Sequence, residues 1–252
     1  MAEAPAPVVA YAVADGVATI TLDSPHNRNA LSRQLLAELD DALGRAAGDD
    51  AARVVLIRAA GRVFCSGADL GEAATGSMAD GARRIVALQR RILALPKPVV
   101  TRVHGAVRAG GTGIVAASDV AIAAEDVTFA LTEVKLALAP AAISVSVLAR
   151  MTSRAAALTA LGGEVFSGAD AAAYGLVTTA VPAEQLDAEV DRVCASLATG
   201  AAQGLRETKA LLNRDLIARL DERGEELAGL SARLFGSEEA RAAMTAFLQR
   251  GR

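Results

Sequence analysis

Apolar and polar positions alternate along Val17-Ala18-Thr19-Ile20-Thr21-Leu22, the period of a half-buried strand. The run ends at Asp23-Ser24-Pro25, a turn. Ser32 then reads as a helix N-cap, and Leu35, Leu36, Leu39 and Leu43 recur at helical spacing to about Ala47. A strand over residues 53–59 leads into a first glycine-bearing segment, Phe64-Cys65-Ser66-Gly67-Ala68-Asp69-Leu70. Residues 71–81 are small, polar and without period, and read as a mobile loop. Ile85, Leu88, Ile92 and Leu95 mark a helix that stops before Pro96. The strand-like run over residues 98–103 opens onto a second glycine-bearing segment, His104-Gly105-Ala106-Val107-Arg108-Ala109-Gly110-Gly111-Thr112-Gly113. Residues 112–118 predict a short buried helix starting near Gly110, and residues 119–123 and 127–131 two further extended pieces. From Ser153 onward the pattern is helical, over residues 153–161, 168–174, 183–198 and from 204 to the end.

Strands alternating with helices predict a right-handed α/β fold. The units are unequal and interleaved with extra short strands, which suits a spiral of ββα units better than a regular open sheet. No linker divides the chain. Residues 1–200 are expected to form the core, and residues 201–252 a helical region whose amphipathic, Leu- and Arg-rich character predicts packing on a partner subunit.

Length and composition narrow the function. A chain of 252 residues with 52% hydrophobic and 22% charged positions can bury a full core. Aromatic content of 3% and the absence of Trp mean that the core is built from Ala, Val and Leu. Net charge is −3, with no clustered basic face for nucleic acid. Arg83-Arg84 and Arg90-Arg91 read as solvated helix positions. Cys65 and Cys194 are far apart, which argues against an oxidised scaffold, and Cys65 reads as packing rather than a nucleophile. Two histidines, His26 and His104, make no metal cluster; His104, at a strand end, reads as a backbone cap. Residues 1–8 lack the basic start and apolar run of a secretory signal, and no long uncharged apolar stretch predicts a membrane span. A cytoplasmic protein is expected.

The two glycine segments carry the chemistry. Each follows an apolar strand and opens a helix, so small residues let backbone N–H groups approach a ligand. Two such turns can aim two N–H donors at one oxygen, and the partial positive charge of a helix N-terminus favours negative charge there. Glu133 lies between Phe129-Ala130-Leu131-Thr132 and Val134-Lys135-Leu136. A carboxylate in such apolar surroundings, with one basic neighbour in Lys135, is expected to have a raised pKa and to move protons near neutral pH. One competing motif fails on context. Gly111-Thr112-Gly113-Ile114-Val115-Ala116 fits G-x-G-x-x-A, but its first glycine does not directly follow a strand as a dinucleotide site requires.

These segments, in this order, resemble the enoyl-CoA hydratase/isomerase (crotonase) family, from about Val17 to the C-terminus. Asn29-Ala30-Leu31 is similar to its N-A-L, residues 64–70 to its F-x-x-G-A-D-[LI], and His104-Gly105 with Ala109-Gly110-Gly111 to its N-G-x-x-x-G-G-G. Glu133 with Pro140 fits its F-x-x-x-E-x-x-x-G-x-x-P, and Gly175-Leu176-Val177 its G-L-V. Ser237 and Ala246-Phe247 resemble its C-terminal signature. The resemblance implies a ββα spiral with a helical C-terminal region, and homotrimers or dimers of trimers built through residues 201–252. It implies an acyl-CoA thioester as substrate, with no separate cofactor, since coenzyme A is part of the substrate. Backbone N–H groups of Ala68 and Gly110 would form the oxyanion hole. Backbone around Ser66, Asp69 and Leu70 would line the adenine and pantetheine path, Arg28 would stand near the CoA phosphates, and Glu133 would be a catalytic glutamate.

One departure matters. Two-carboxylate hydratases of the family carry a second glutamate three residues after the Gly110 position, and here that residue is Gly113. Its missing side chain is expected to leave room for a bulkier acyl chain. Hydration of a 2-trans-enoyl-CoA by a single glutamate is the expected reaction. Δ3-Δ2 enoyl-CoA isomerisation, another enolate reaction such as thioester hydrolysis or decarboxylation, and non-catalytic acyl-CoA binding are the alternatives.

Overall fold

The structure, a computed structural model, describes residues 6–73 and 78–250. It opens with a hairpin of β1 (Val9–Ala14) and β2 (Val17–Leu22), paired antiparallel. β1 is not among the elements expected from the sequence pattern. Its signal was Asp15-Gly16, a turn pair at φ 50° and 77°, the backbone that a two-residue hairpin needs. Next come α1 (Arg33–Gly48), β3 (Val54–Ala59), β4 (Val63–Cys65), α2 (Leu70–Ala73) and α3 (Met78–Ala94). Ser32 caps α1 as expected, its side chain accepting from the Leu35 N–H. The expected loop over residues 71–81 is helical at both ends; residues 74–77 lie outside the described residues.

The spiral comes from how strand pairs divide. β3 and β4, then β5 (Val99–Val103) and β6 (Ala106–Arg108), then β7 (Val120–Ala124) and β8 (Thr128–Ala130) are consecutive pairs. The first strand of each pair joins a six-stranded sheet of order β1-β2-β3-β5-β7-β10, with β10 at Thr179–Val181. The second joins a four-stranded sheet of order β4-β6-β8-β9, with β9 at Phe166–Ser167. β2, β3, β5, β7 and β10 run parallel, as do β4, β6 and β8. Each pair therefore advances the chain one turn, and the expected ββα spiral is present. Strands buried on both faces explain runs such as Val54-Val55-Leu56-Ile57, each at most 7% exposed.

The remaining helices are α4 (Gly110–Ala117), α5 (Ala141–Arg150), α6 (Ser153–Gly162), α7 (Gly168–Ala173), α8 (Leu186–Ala198), α9 (Ala202–Phe235) and α10 (Glu238–Arg250). α9 packs along α3 and α5 of its own chain. Arg83 and Arg90 are exposed helix positions, as expected, and there Arg83 pairs with Glu225 at 2.6 Å and Arg90 with Asp221, both surface pairs between α3 and α9. Lys209 is buried on α9, where its Nζ reaches Asp119 Oδ2 at 2.7 Å and donates to the Ile92 carbonyl at 2.9 Å near the end of α3. A buried cation needs such partners, and these pin α9 to the junction of α3 and β7. Cys65 is fully buried, and burial pushes its thiol up to about 12, consistent with packing. His104 Nε2 lies 2.8 Å from the Gly61 carbonyl, consistent with a backbone cap.

Candidate active site

The two glycine segments meet. β4 ends at Cys65, and Gly67 at φ +90° turns the chain so that Leu31 N–H donates to the Gly67 carbonyl at 2.8 Å. β6 ends at Arg108, and α4 begins at Gly110. A Cβ placed on Gly67 would stand 3.5 Å from the Gly110 nitrogen, and one on Gly110 would stand 2.7 Å from Leu31 Cδ1. Only residues without side chains allow this approach. Among the described residues, neither the Ala68 nor the Gly110 N–H donates a hydrogen bond. Gly110 is the first residue of α4, where an N–H has no intrahelical partner. Both residues line one cavity, together with Leu31, Glu133, Ile143 and Phe235.

Glu133 reaches this cavity from the end of β8. It opens a 3₁₀ turn, Glu133–Leu136, that Ala137 closes at φ 56°, with the Leu138 N–H donating to the Glu133 carbonyl at 2.9 Å. Its Oε2 is buried and accepts nothing. Burial pushes the carboxyl up to about 7, against a smaller lowering by its own backbone N–H. The basic neighbour plays no part, because Lys135 pairs outward with Glu164 at 2.9 Å. The cavity thus joins two free N–H donors to one carboxyl that holds or releases a proton near neutral pH.

Among the described residues, Asp69 is the one other expected site residue that lines this cavity. It caps α2, its Oδ1 accepting from Gly71 N–H at 2.9 Å and Glu72 N–H at 3.1 Å. Leu70 begins α2. Ser66 and Arg28 are paired with each other outside the cavity wall. The Ser66 N–H donates to the Arg28 carbonyl at 3.1 Å, and Arg28 itself is exposed at φ 61°.

Gly113 corrects one expectation. Its missing side chain opens no room, since a Cβ there would stand 2.7 Å from Ile143 Cγ2 and 3.2 Å from Gln89 Cδ. The Gln89 side-chain amide is held over this spot by donation to the Ile85 and Ala142 carbonyls at 2.9 and 2.8 Å. The first atom of any side chain at 113 would meet occupied space.

Two contributions go beyond what the sequence motifs imply, the first from Asn29 of the Asn29-Ala30-Leu31 motif. Asn29 is fully buried; its Oδ1 accepts from Ser24 N–H at 2.7 Å and its Nδ2 donates to the Ala60 and Val63 carbonyls at 2.9 and 2.8 Å. It ties the turn before Leu31 to the loop between β3 and β4. The second contribution is Ser231 and Phe235, one turn apart on α9, which bring the C-terminal region into the cavity wall. α10 packs on the turn that carries Glu133.

A family profile described as "Enoyl-CoA hydratase/isomerase" matches residues 12–252. The chain belongs to this enoyl-CoA hydratase/isomerase, or crotonase, family. It is 33% identical over 246 residues to a Rhodobacter capsulatus protein named "Probable enoyl-CoA hydratase", covering 96% of this chain and 95% of that one. It is 31% identical over 234 residues to the 1,2-epoxyphenylacetyl-CoA isomerase of Escherichia coli, covering 87% of this chain and 89% of that one. Among solved structures, an enoyl-CoA hydratase from Mycobacterium avium superposes with a TM-score of 0.91 at 42% identity, covering 98% of each chain.

Proposed function

We propose that the protein hydrates a 2-trans-enoyl-CoA to the 3-hydroxyacyl-CoA with Glu133 as its only catalytic carboxylate. The observation that supports this most is the single cavity holding Glu133, at a pKa of about 7, beside the unpaired N–H groups of Ala68 and Gly110. Ionised Glu133 takes a proton from water as the water oxygen bonds to the β-carbon. The alkene electrons move onto the thioester oxygen, where the Ala68 and Gly110 N–H groups stabilise the enolate. Glu133 then returns the proton to the α-carbon, and the thioester carbonyl reforms. The reaction needs no cofactor beyond the coenzyme A of the substrate. In this reading the backbone at Ser66, Asp69 and Leu70 follows the pantetheine and adenine, and the exposed Arg28 meets the phosphates.

Gly113 favours a second reading. Isomerisation of a 3-enoyl-CoA to the 2-enoyl-CoA needs one carboxylate to carry a proton between carbons, and no held water. With a side chain at 113 excluded by Ile143 and Gln89, this Δ3-Δ2 isomerase reaction asks only for the one carboxyl of Glu133 and the two N–H groups. Ultraviolet absorbance separates the two. Loss of enoyl-thioester absorbance on adding crotonyl-CoA supports hydration; its appearance from a 3-enoyl-CoA supports isomerisation. Tight binding with neither change would leave an acyl-CoA-binding protein.

A homotrimer or dimer of trimers is part of the proposal. Leu158, Leu161 and Val165 are 62%, 76% and 59% exposed around α6, an apolar surface that supports contact between copies. A monomer mass by light scattering would remove it. Among the described residues, no helix is long and apolar enough to cross a membrane.

A further inference from the structure

Ala109 is the N-cap of α4 and adopts φ 44°, ψ −118°. That region suits glycine, because a Cβ there crowds the adjacent peptide. It is also the residue immediately before the Gly110 donor, and it lines the cavity. Three contacts keep it there. Arg108, just before it, is fixed by donation from Nη1 to the Thr128 carbonyl at 2.7 Å and from Nη2 to Thr128 Oγ1 at 3.0 Å. Thr112 N–H donates to the Ala109 carbonyl at 2.9 Å and so starts α4. The methyl group points at Gly67, where an added Cβ would stand only 2.8 Å from Ala109 Cβ.

Gly67 immediately precedes Ala68, as Ala109 precedes Gly110. The two donor-bearing turns therefore abut through one methyl group and one bare Cα, both at positive φ. We propose that Ala109 is a positioning residue, a strained spacer whose methyl sets the separation and tilt of the Ala68 and Gly110 N–H groups. Glycine at 109 would hold the same backbone without crowding, but it would remove the contact with Gly67 that sets the spacing between the two turns. The strain is sustained because the surrounding hydrogen bonds over-determine the turn. This inference rests on the reading of these two N–H groups as the oxyanion hole.

Ala109→Gly tests it, since the variant takes up the observed backbone freely and folds. Its melting temperature is expected to rise by a few degrees, as strain is released. Its turnover of crotonyl-CoA is expected to fall about tenfold with KM changed less than threefold. The infrared carbonyl stretch of a bound, ¹³C-labelled saturated acyl-CoA reports the hole directly. Wild type is expected to shift that band to lower frequency, and Ala109→Gly to shift it less. A wild-type shift that the variant reproduces, with unchanged turnover, leaves the hole and overturns the role of Ala109. An unchanged or lower melting temperature overturns the strain. No shift in wild type removes the oxyanion hole itself, and this proposal with it.

Discussion

Ile143 Cγ2 lies 2.7 Å from where a Cβ on Gly113 would sit, so the helix face one turn beyond the Gly110 donor is closed by hydrocarbon. Gly113→Glu therefore does not restore a two-carboxylate site. Overpacking of this kind costs about 1–3 kcal/mol, and burying a second acid adds to it. The variant is expected to melt at lower temperature and to hydrate crotonyl-CoA no faster than wild type. A faster rate would show that Ile143 gives way and that a second acid can work here.

The Asn29 side chain makes three hydrogen bonds and is fully buried. Asn29→Ala leaves the Ala60 and Val63 carbonyls and the Ser24 N–H without it. At about 1 kcal/mol per bond, a loss of about 2–4 kcal/mol is expected. Because the same turn positions Leu31 against Gly67, activity falls with stability. Denaturant titration checks the first effect, and a loss under about 0.5 kcal/mol would contradict this role.

Glu133 makes both rate and stability depend on pH. As a base it acts only when ionised, so the acid limb of the rate profile is expected to rise through about pH 7 and then level. Stability runs the opposite way. The folded-state pKa is raised, so between about 4.5 and 7 the folded state holds more protons than the unfolded state and stability falls as pH rises. Glu133→Gln lacks this loss and is expected to be more stable than wild type at pH 8, by about 1–3 kcal/mol, with the difference shrinking towards pH 4. Parallel stability curves for the two proteins would mean that Glu133 is not held in an apolar setting.

Phe235 closes one wall of the cavity from the far end of the chain. Phe235→Ala is expected to raise kcat/KM for longer acyl chains relative to crotonyl-CoA by about tenfold, the scale of a few methylenes in an apolar pocket. An unchanged preference across a chain-length panel would place the acyl group elsewhere.

The spiral and the glycine turns at its strand ends could be read from sequence because both rest on local signals. Buried parallel strands read as Val- and Ile-rich runs, and residues that must approach each other's backbone read as Gly67 and Gly110. What sequence hides is long-range. Gly113 looked like a vacancy because its fillers, Gln89 and Ile143, lie on other helices. Lys135 is a neighbour of Glu133 in sequence, but which way its cation points, here to Glu164, depends on a residue far along the chain. Ser231 and Phe235 belong to the helical stripe of α9 and carry no mark that separates a cavity wall from core packing.

Glu133→Gln provides the most direct measurement, in hydration of crotonyl-CoA followed by absorbance with CoA-ester affinity measured in parallel. A sole proton relay predicts turnover reduced roughly 10²–10⁴-fold with affinity nearly unchanged. A variant that turns over at the wild-type rate would contradict it and remove Glu133 from the chemistry.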